Sequence, residues 1–438
     1  MQRIQSSRIR NTTDHRAERQ QETMTVSAQD PKQLPLLRNL QFSPIKDNEE
    51  QYMVLWDPTG LSQDKLVLPL NYFFIIQHFD GEHSLEEIGA LYLKRFGEFF
   101  LPDRMTRLIS DLDAKLFLEG EKVEAARRDA QAAYRQAPLR QAAYAGKSYE
   151  ADRVKLLAQL EGFFTSKEGP DFKPSENSGK KIKALVAPHY EPKQAGPVYA
   201  WAYKELKEAE APDLFIVLGT SHAGLKNAFA VTDKDFETPL GVVPADRQIL
   251  DLFRKKGGEP FFEEDVSHKN EHAIEFQLPF LQHALDQKPF TIVPILCSFP
   301  PSCLFDQALK HLGDHATDFI RMLKEVLEET GRSACVVASA ELAHIGMRYG
   351  DPAPPTDFSF HKCMQTDLEM LKHVEELNAE AFAQFIQKEG DSRRISGFAA
   401  IYTLLKLIQA EKGQVLRYDR GITDQYNSTV TYASMAFF

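Results

Sequence analysis

The stretch ALVAPHYEPKQAG, residues 184–196, decides the fold class. Its first four residues are apolar, Pro188 ends the run, and His189 opens a charged loop. A short apolar run closed by a turn signal reads as a strand buried on both faces. Three further runs of the same kind follow it: DLFIVLGTS, FTIVPILC and SACVVASA. Between them lie segments of helical periodicity, such as GPVYAWAYKELKEAE and EFQLPFLQHAL. This alternation predicts an α/β fold, a mainly parallel sheet flanked by helices, with the terminal TVTYASMAFF adding one more strand.

In open α/β sheets, ligands gather beyond the carboxyl ends of the strands. That rule gives the imidazole of His189 a meaning, because it lies at such an end. LFIVLGTSH places His222 equivalently, and SACVVASAELAH carries Glu341 and His344 just past another strand. NEHAIEFQLPF supplies His272 and Glu275 at i and i+3, one face of a helix. Neutral imidazoles suit iron, copper or zinc, and two of them with one anionic ligand leave positions open for substrate. Glu341 is a carboxylate candidate for completing that shell, while His272 and His344 are candidates for moving protons. The remaining histidines, His268 and His283 among them, stand in polar or helical contexts and are expected to be solvated.

Upstream, residues 1–34 are polar with mixed charge and are expected to form a disordered tail. Residues 35–123 form a separate block. QYMVLWDP and DKLVLPL read as strands around a turn at Pro58-Thr59-Gly60, and three helical patterns follow. The second helix is announced by Ser84 and Glu87 as a capping box, and the third is expected to end against Gly120. The block is thus a small α+β, winged-helix-like domain. Residues 124–138 read as a helical connector and 139–438 as the α/β domain. SKEGPDFKPSENSGKK, from Ser166, is a loop before the first core strand.

A net charge of -11 argues against a protein that neutralises nucleic-acid phosphates. The longest apolar stretch, from Leu66, is broken by Pro69 and Asn71, so no membrane span is expected. The four cysteines, Cys297, Cys303, Cys335 and Cys363, form no CxxC pair, which points to a reducing, cytoplasmic setting rather than a disulfide framework.

Two resemblances extend this reading. LPLNYFFIIQHFDGEHSLEEI and LISDLDAKLFLEG resemble the PqqD-like family, which implies a module that binds a peptide at a strand edge. From about Leu139 to Phe438 the chain resembles the MEMO family, the B component of the AmmeMemoRadiSam system, whose fold is similar to that of class III extradiol dioxygenases. VAPHYEPKQAGPVYAWAYK, VLGTSH, FETPLGVVPAD, NEHAIEFQLPFLQ, ASAELAHIG and ISGFAAIYTLL occur in that family's order. The resemblance implies a divalent metal, iron first with copper or zinc as alternatives, held by His189 and His222. Its third ligand, typically a cysteine before glycine, is here Ser396, a far poorer donor than a thiolate. The family's aspartate corresponds to Glu341, with His344 retained, and Tyr190 and Glu191 replace small residues. These departures leave two expectations: a retuned metal-dependent oxidoreductase with Glu191, Glu341 or Glu275 completing the site, or a degenerate site without metal in a binding scaffold that works with a radical SAM partner.

Overall fold

A computed structural model describes residues 34–47, 50–171 and 180–438. The expected tail before Leu34 and the middle of the loop from Ser166 lie outside the described residues.

The N-terminal unit is built on three antiparallel strands, β1 (Gln41–Asp47), β2 (Glu50–Trp56) and β3 (Lys65–Pro69), in that spatial order. Pro44 lies inside β1, a position tolerated because β1 is an edge strand. Helices α1 (Leu70–Ile76), α2 (Leu85–Phe96) and α3 (Pro102–Ala114) cover the sheet, burying Leu55, Ile75, Ile88 and Leu112 in a common core. The capping box of Ser84 and Glu87 opens α2. The third helix stops at Ala114, and Gly120 instead precedes the connector, α4 (Glu121–Gln136). That helix is docked: Gln131 Nε2 donates to the Glu263 carbonyl at 2.9 Å, and the buried Tyr134 hydroxyl lies 3.4 Å from Thr232 Oγ1.

The larger unit begins with β4 (Leu139–Arg140) and α5 (Arg153–Thr165), whose first turn is capped by the Asp152 carboxylate. Then follow β5 (Ala184–Ala187), α6 (Pro192–Glu208), β6 (Leu214–Thr220), β7 (Phe229–Val231), β8 (Asp235–Phe236) and α7 (Arg247–Phe253). After them come α8 (His272–Glu275), α9 (Gln277–Ala284), β9 (Thr291–Cys297), α10 (Lys310–Thr330), β10 (Cys335–Ser339) and β11 (His344–Ile345). Helices α11 (Asp357–Glu375), α12 (Ala379–Lys388) and α13 (Phe398–Leu407) precede the closing hairpin of β12 (Gly413–Ile422) and β13 (Thr429–Phe437).

The main sheet has the order β11-β13-β5-β10-β6-β9-β7, with β12 also paired to β13. Only its centre, β5-β10-β6-β9, is parallel. The β12–β13 hairpin joins β5 antiparallel on one side and β7 joins β9 antiparallel on the other. The sheet is therefore mixed, and the expectation of a mainly parallel one is corrected. Alternation along the central strands sorts side chains between two cores. Val186, Ile216, Leu218 and Val336 pack under α7, α10, α12 and α13, while Leu185, Phe215, Val217 and Val337 pack under α5, α6 and α9. Because β5, β6 and β10 run parallel, their carboxyl ends meet at one edge, where the site forms. No helix of the described residues is long and apolar enough to cross a membrane.

Candidate metal centre

His189, His222 and His272 converge at this edge, with ligand nitrogens all within 4.8 Å of one another. Their ring centroids lie 4.9 Å apart for His189 and His222, 5.5 Å for His189 and His272, and 4.5 Å for His222 and His272. The first two follow the ends of β5 and β6, as expected. His272 arrives on α8, which lies directly on β6 because residue 219 is glycine: a Cβ there would come within 2.8 Å of Ile274 Cγ1. Gln277 ties the arrangement together, donating to the Pro188 carbonyl and to Ser339 Oγ, both at 2.7 Å, while Ser339 Oγ donates to the Ala273 carbonyl at 2.6 Å.

Each imidazole is oriented by a group behind it. His189 is buried, and its Nδ1 lies 3.0 Å from the Ser339 carbonyl. A carbonyl only accepts, so Nδ1 carries the proton and Nε2 presents a lone pair. That Nε2 is buried without a hydrogen-bond partner. An orphaned buried acceptor costs about 1–3 kcal/mol, so its persistence fits a site shaped for a ligand. His222 Nδ1 lies 3.0 Å and His272 Nδ1 3.2 Å from Glu271 Oε1. Glu271 also accepts from the backbone N–H groups of His222, His272 and Ala273, capping α8. Sequence reasoning missed this residue. The signal available was an acidic residue at a helix start directly before a histidine.

The charges follow from this bracing. Burial alone would raise the Glu271 carboxyl, but His222 and His272 hold it well below the usual carboxylate range. Burial opposes charge on His222, yet Glu271 lifts its pKa to about 9. Burial and the neighbouring His222 push His272 down to about 3, and burial also lowers His189. Of the three imidazoles, His222 is the one whose charged form Glu271 favours most.

Glu341 stands beside this set. Its Oε2 is 3.2 Å from His344 Nε2 and 3.6 Å from His189 Nε2, the latter too long for a hydrogen bond. Burial would raise the Glu341 carboxyl, and the facing imidazoles outweigh it, bringing it to about 2. The other side chains named from sequence are placed differently. Glu275 shares a helical turn with His272 but turns away. It is fully buried, bound by Arg140, the Tyr149 hydroxyl and the backbone N–H groups of Ala143 and Tyr144. Glu191 accepts from Ser148 Oγ at 3.0 Å, and Tyr190 stacks on Tyr432 with its hydroxyl donating to the Ile422 carbonyl. Ser396 precedes Gly397, whose N–H donates to the Glu341 carbonyl at 2.9 Å, and the Ser396 hydroxyl is buried without a partner. His268, expected to be solvated, is buried against the Ala230 carbonyl.

Around a tetrahedral ion, imidazole bonds of about 2.0–2.1 Å place the ligand nitrogens about 3.3–3.4 Å apart. Nitrogens within 4.8 Å of one another therefore need to close by up to about 1.5 Å to share an ion. The donor set, three imidazoles with the Glu271 carboxylate behind two of them and the Ser339 carbonyl behind the third, fits the common pattern in which a carboxylate or carbonyl fixes a ligating histidine.

Comparison with known proteins bears on the family of the chain. A family profile described as Memo-like protein matches residues 140–436. A MEMO1 family protein of Aquifex aeolicus is 25% identical over 413 residues, covering 92% of this chain and all of the relative. That share reaches well into the N-terminal unit. A MEMO1 family protein of Methanopyrus kandleri is 29% identical over 304 residues, covering 68% of this chain and 98% of the relative. A crystal structure of the uncharacterized protein JW3007 from Escherichia coli K12 aligns with 59% of this chain and all of its own, at 12% identity and a TM-score of 0.36.

Proposed function

The chain belongs to the Memo-like protein family, and from that premise we propose that it is a metal-binding protein of the oxidoreductase type, centred on His189, His222 and His272. The observation that carries this reading is the unpartnered, buried Nε2 of His189 beside two imidazoles braced by one carboxylate. Iron is the first candidate, with copper or zinc as alternatives, since all three accept neutral imidazole. When bound, such an ion supplies Lewis acidity and, for iron or copper, one-electron redox chemistry.

The chain's own groups have definable tasks. The Ser339 carbonyl holds the Nδ1 proton of His189 and Glu271 that of His222, which leaves their Nε2 atoms for the centre, while Glu271 lies beside His272 as a charge partner. His222 and His272 are partly exposed and form the open side from which a substrate reaches it. The Glu341–His344 pair can hold a proton or pass it between carboxylate and imidazole beside His189. Ser396, with its unpartnered hydroxyl, is a weak further donor on the Glu341 side. The N-terminal unit presents β1, which pairs only with β2 among the described residues, as an edge that a peptide could extend by strand pairing. The four free, buried cysteines suit a reducing cytoplasm.

A second reading, a non-catalytic scaffold acting with a radical SAM partner, is favoured by one feature: serine at 396 where the family resemblance implies a thiolate. Elemental analysis of protein purified without a histidine tag separates the two. The oxidoreductase reading requires iron, copper or zinc bound one-to-one and lost in His189→Ala and His222→Ala. A wild-type chain that takes up none of these ions leaves the scaffold reading.

A further inference from the structure

Among the described residues, the N-terminal unit meets the support of the histidine cluster through a hydrogen bond to Asn270. The turn between β2 and β3 is rigid: buried Asp57 accepts from the Thr59 N–H at 2.9 Å, the Thr59 hydroxyl at 2.6 Å and the Ser62 N–H at 2.8 Å. Arg38 pairs with the same carboxylate at 3.0 Å and donates to the Leu116 carbonyl at 2.6 Å. At the tip of this turn the Thr59 carbonyl accepts from Asn270 Nδ2 at 2.9 Å. Gly60, at φ +68°, makes the approach workable, because a Cβ there would come within 2.4 Å of that same amide nitrogen. Asn270 is held from the other side as well, its carbonyl accepting from the Tyr144 hydroxyl at 2.8 Å. The next residue in the chain is Glu271, which orients His222 and His272.

We propose that the Asp57–Ser62 turn, acting through Asn270, is a positioning element of the histidine centre supplied by the N-terminal unit. The inference rests on the metal-binding reading for its consequence but not for its geometry. Two fixed points, Thr59 and Tyr144, hold residue 270, so the Glu271 carboxylate reaches both imidazoles without first being ordered. Pre-organisation of this kind raises affinity by lowering what binding must restrain. It also gives a physical reason for one chain to carry both units, since whatever moves the N-terminal turn moves Glu271.

Asn270→Ala removes the contact, Gly60→Ala displaces the amide, and Thr59→Ser leaves the carbonyl in place as a control. Hydrogen exchange of metal-free, full-length protein is read across residues 266–276, and cobalt(II) titration reads affinity and the visible d–d spectrum. Expected are exchange faster by about 3- to 10-fold confined to 266–276, cobalt binding weaker by a similar factor and an altered spectrum for the first two variants, with wild-type behaviour for Thr59→Ser. Unchanged exchange and spectrum in a folded Asn270→Ala protein overturns the proposal, as does loosening spread evenly over the whole sheet. If Gly60→Ala does not fold, Asn270→Ala alone decides. A wild-type chain that takes up neither cobalt nor iron, copper or zinc while the exchange effect persists refutes the metal reading and leaves the positioning of Glu271 standing.

Discussion

Nδ1 of His222 lies 3.0 Å from Oε1 of Glu271. This contact joins a residue after strand β6 to the first residue before helix α8, and Glu271 extends it to His272. A carboxylate behind a ligating imidazole raises its basicity and fixes its ring, and losing one commonly costs 10–100-fold in metal affinity. Glu271→Gln is expected to weaken cobalt(II) binding by roughly that factor, measured by competition against a chelator, with the far-ultraviolet circular dichroism unchanged. Equal affinity in the variant would show that Glu271 caps α8 and does nothing more.

Glu275 is expected to act on stability rather than on the centre. It is fully buried against Arg140, so Glu275→Ala leaves a guanidinium without its counter-charge. Breaking a buried pair in this way costs about 3–5 kcal/mol, read by urea unfolding. The double change Arg140→Met with Glu275→Leu is expected to recover only part of that loss, because it removes both charges together but leaves the Tyr149 hydroxyl and the Ala143 and Tyr144 N–H groups without their acceptor.

Asp57 sets a pH dependence. Burial would raise its carboxyl, but hydrogen bonds from Thr59 and Ser62 and the Arg38 guanidinium outweigh that and hold it below its ordinary 3.8. A depressed carboxylate contributes stability in full above its unfolded pKa and loses it as pH falls through the folded value. Asp57→Asn is therefore expected to lower stability near neutrality by about 1–3 kcal/mol. The gap between wild type and variant should narrow below pH 3.8. A gap that stays constant down to strong acid contradicts this assignment.

Ser396→Cys tests the side of the centre next to Glu341. A thiolate is a much stronger donor than a hydroxyl, so the variant is expected to bind cobalt(II) more tightly and to show a thiolate charge-transfer band in the near ultraviolet. Absence of that band places residue 396 outside coordination reach.

The central strands were legible because buried runs such as Leu214–Thr220 admit few other readings, and a histidine or carboxylate just beyond β5, β6 and β10 drew attention to one edge. The hairpin of β12 and β13 was harder. Thr429–Phe437 is buried along its whole length and reads like a parallel strand, while its partner, Gly413–Ile422, is largely polar and half-buried and reads as loop. Strand β1 was hidden by Pro44 and its exposed charges, the marks of an edge. At the site, spacing put His272 and Glu275 on one helical face, but α8 is a single turn, and the buried guanidinium of Arg140 draws Glu275 to the opposite side. Glu271 escaped notice because its role depends on β6 and α8 meeting over Gly219, a contact between segments that periodicity does not encode.

The central claim is that three imidazoles from β5, β6 and α8 close on one ion. X-ray absorption of the zinc-loaded protein measures this directly. Three histidine nitrogens at about 2.0–2.1 Å, falling to two in His272→Ala, is the expected result. A shell of oxygen donors alone, or one that is the same in wild type and His272→Ala, would contradict it.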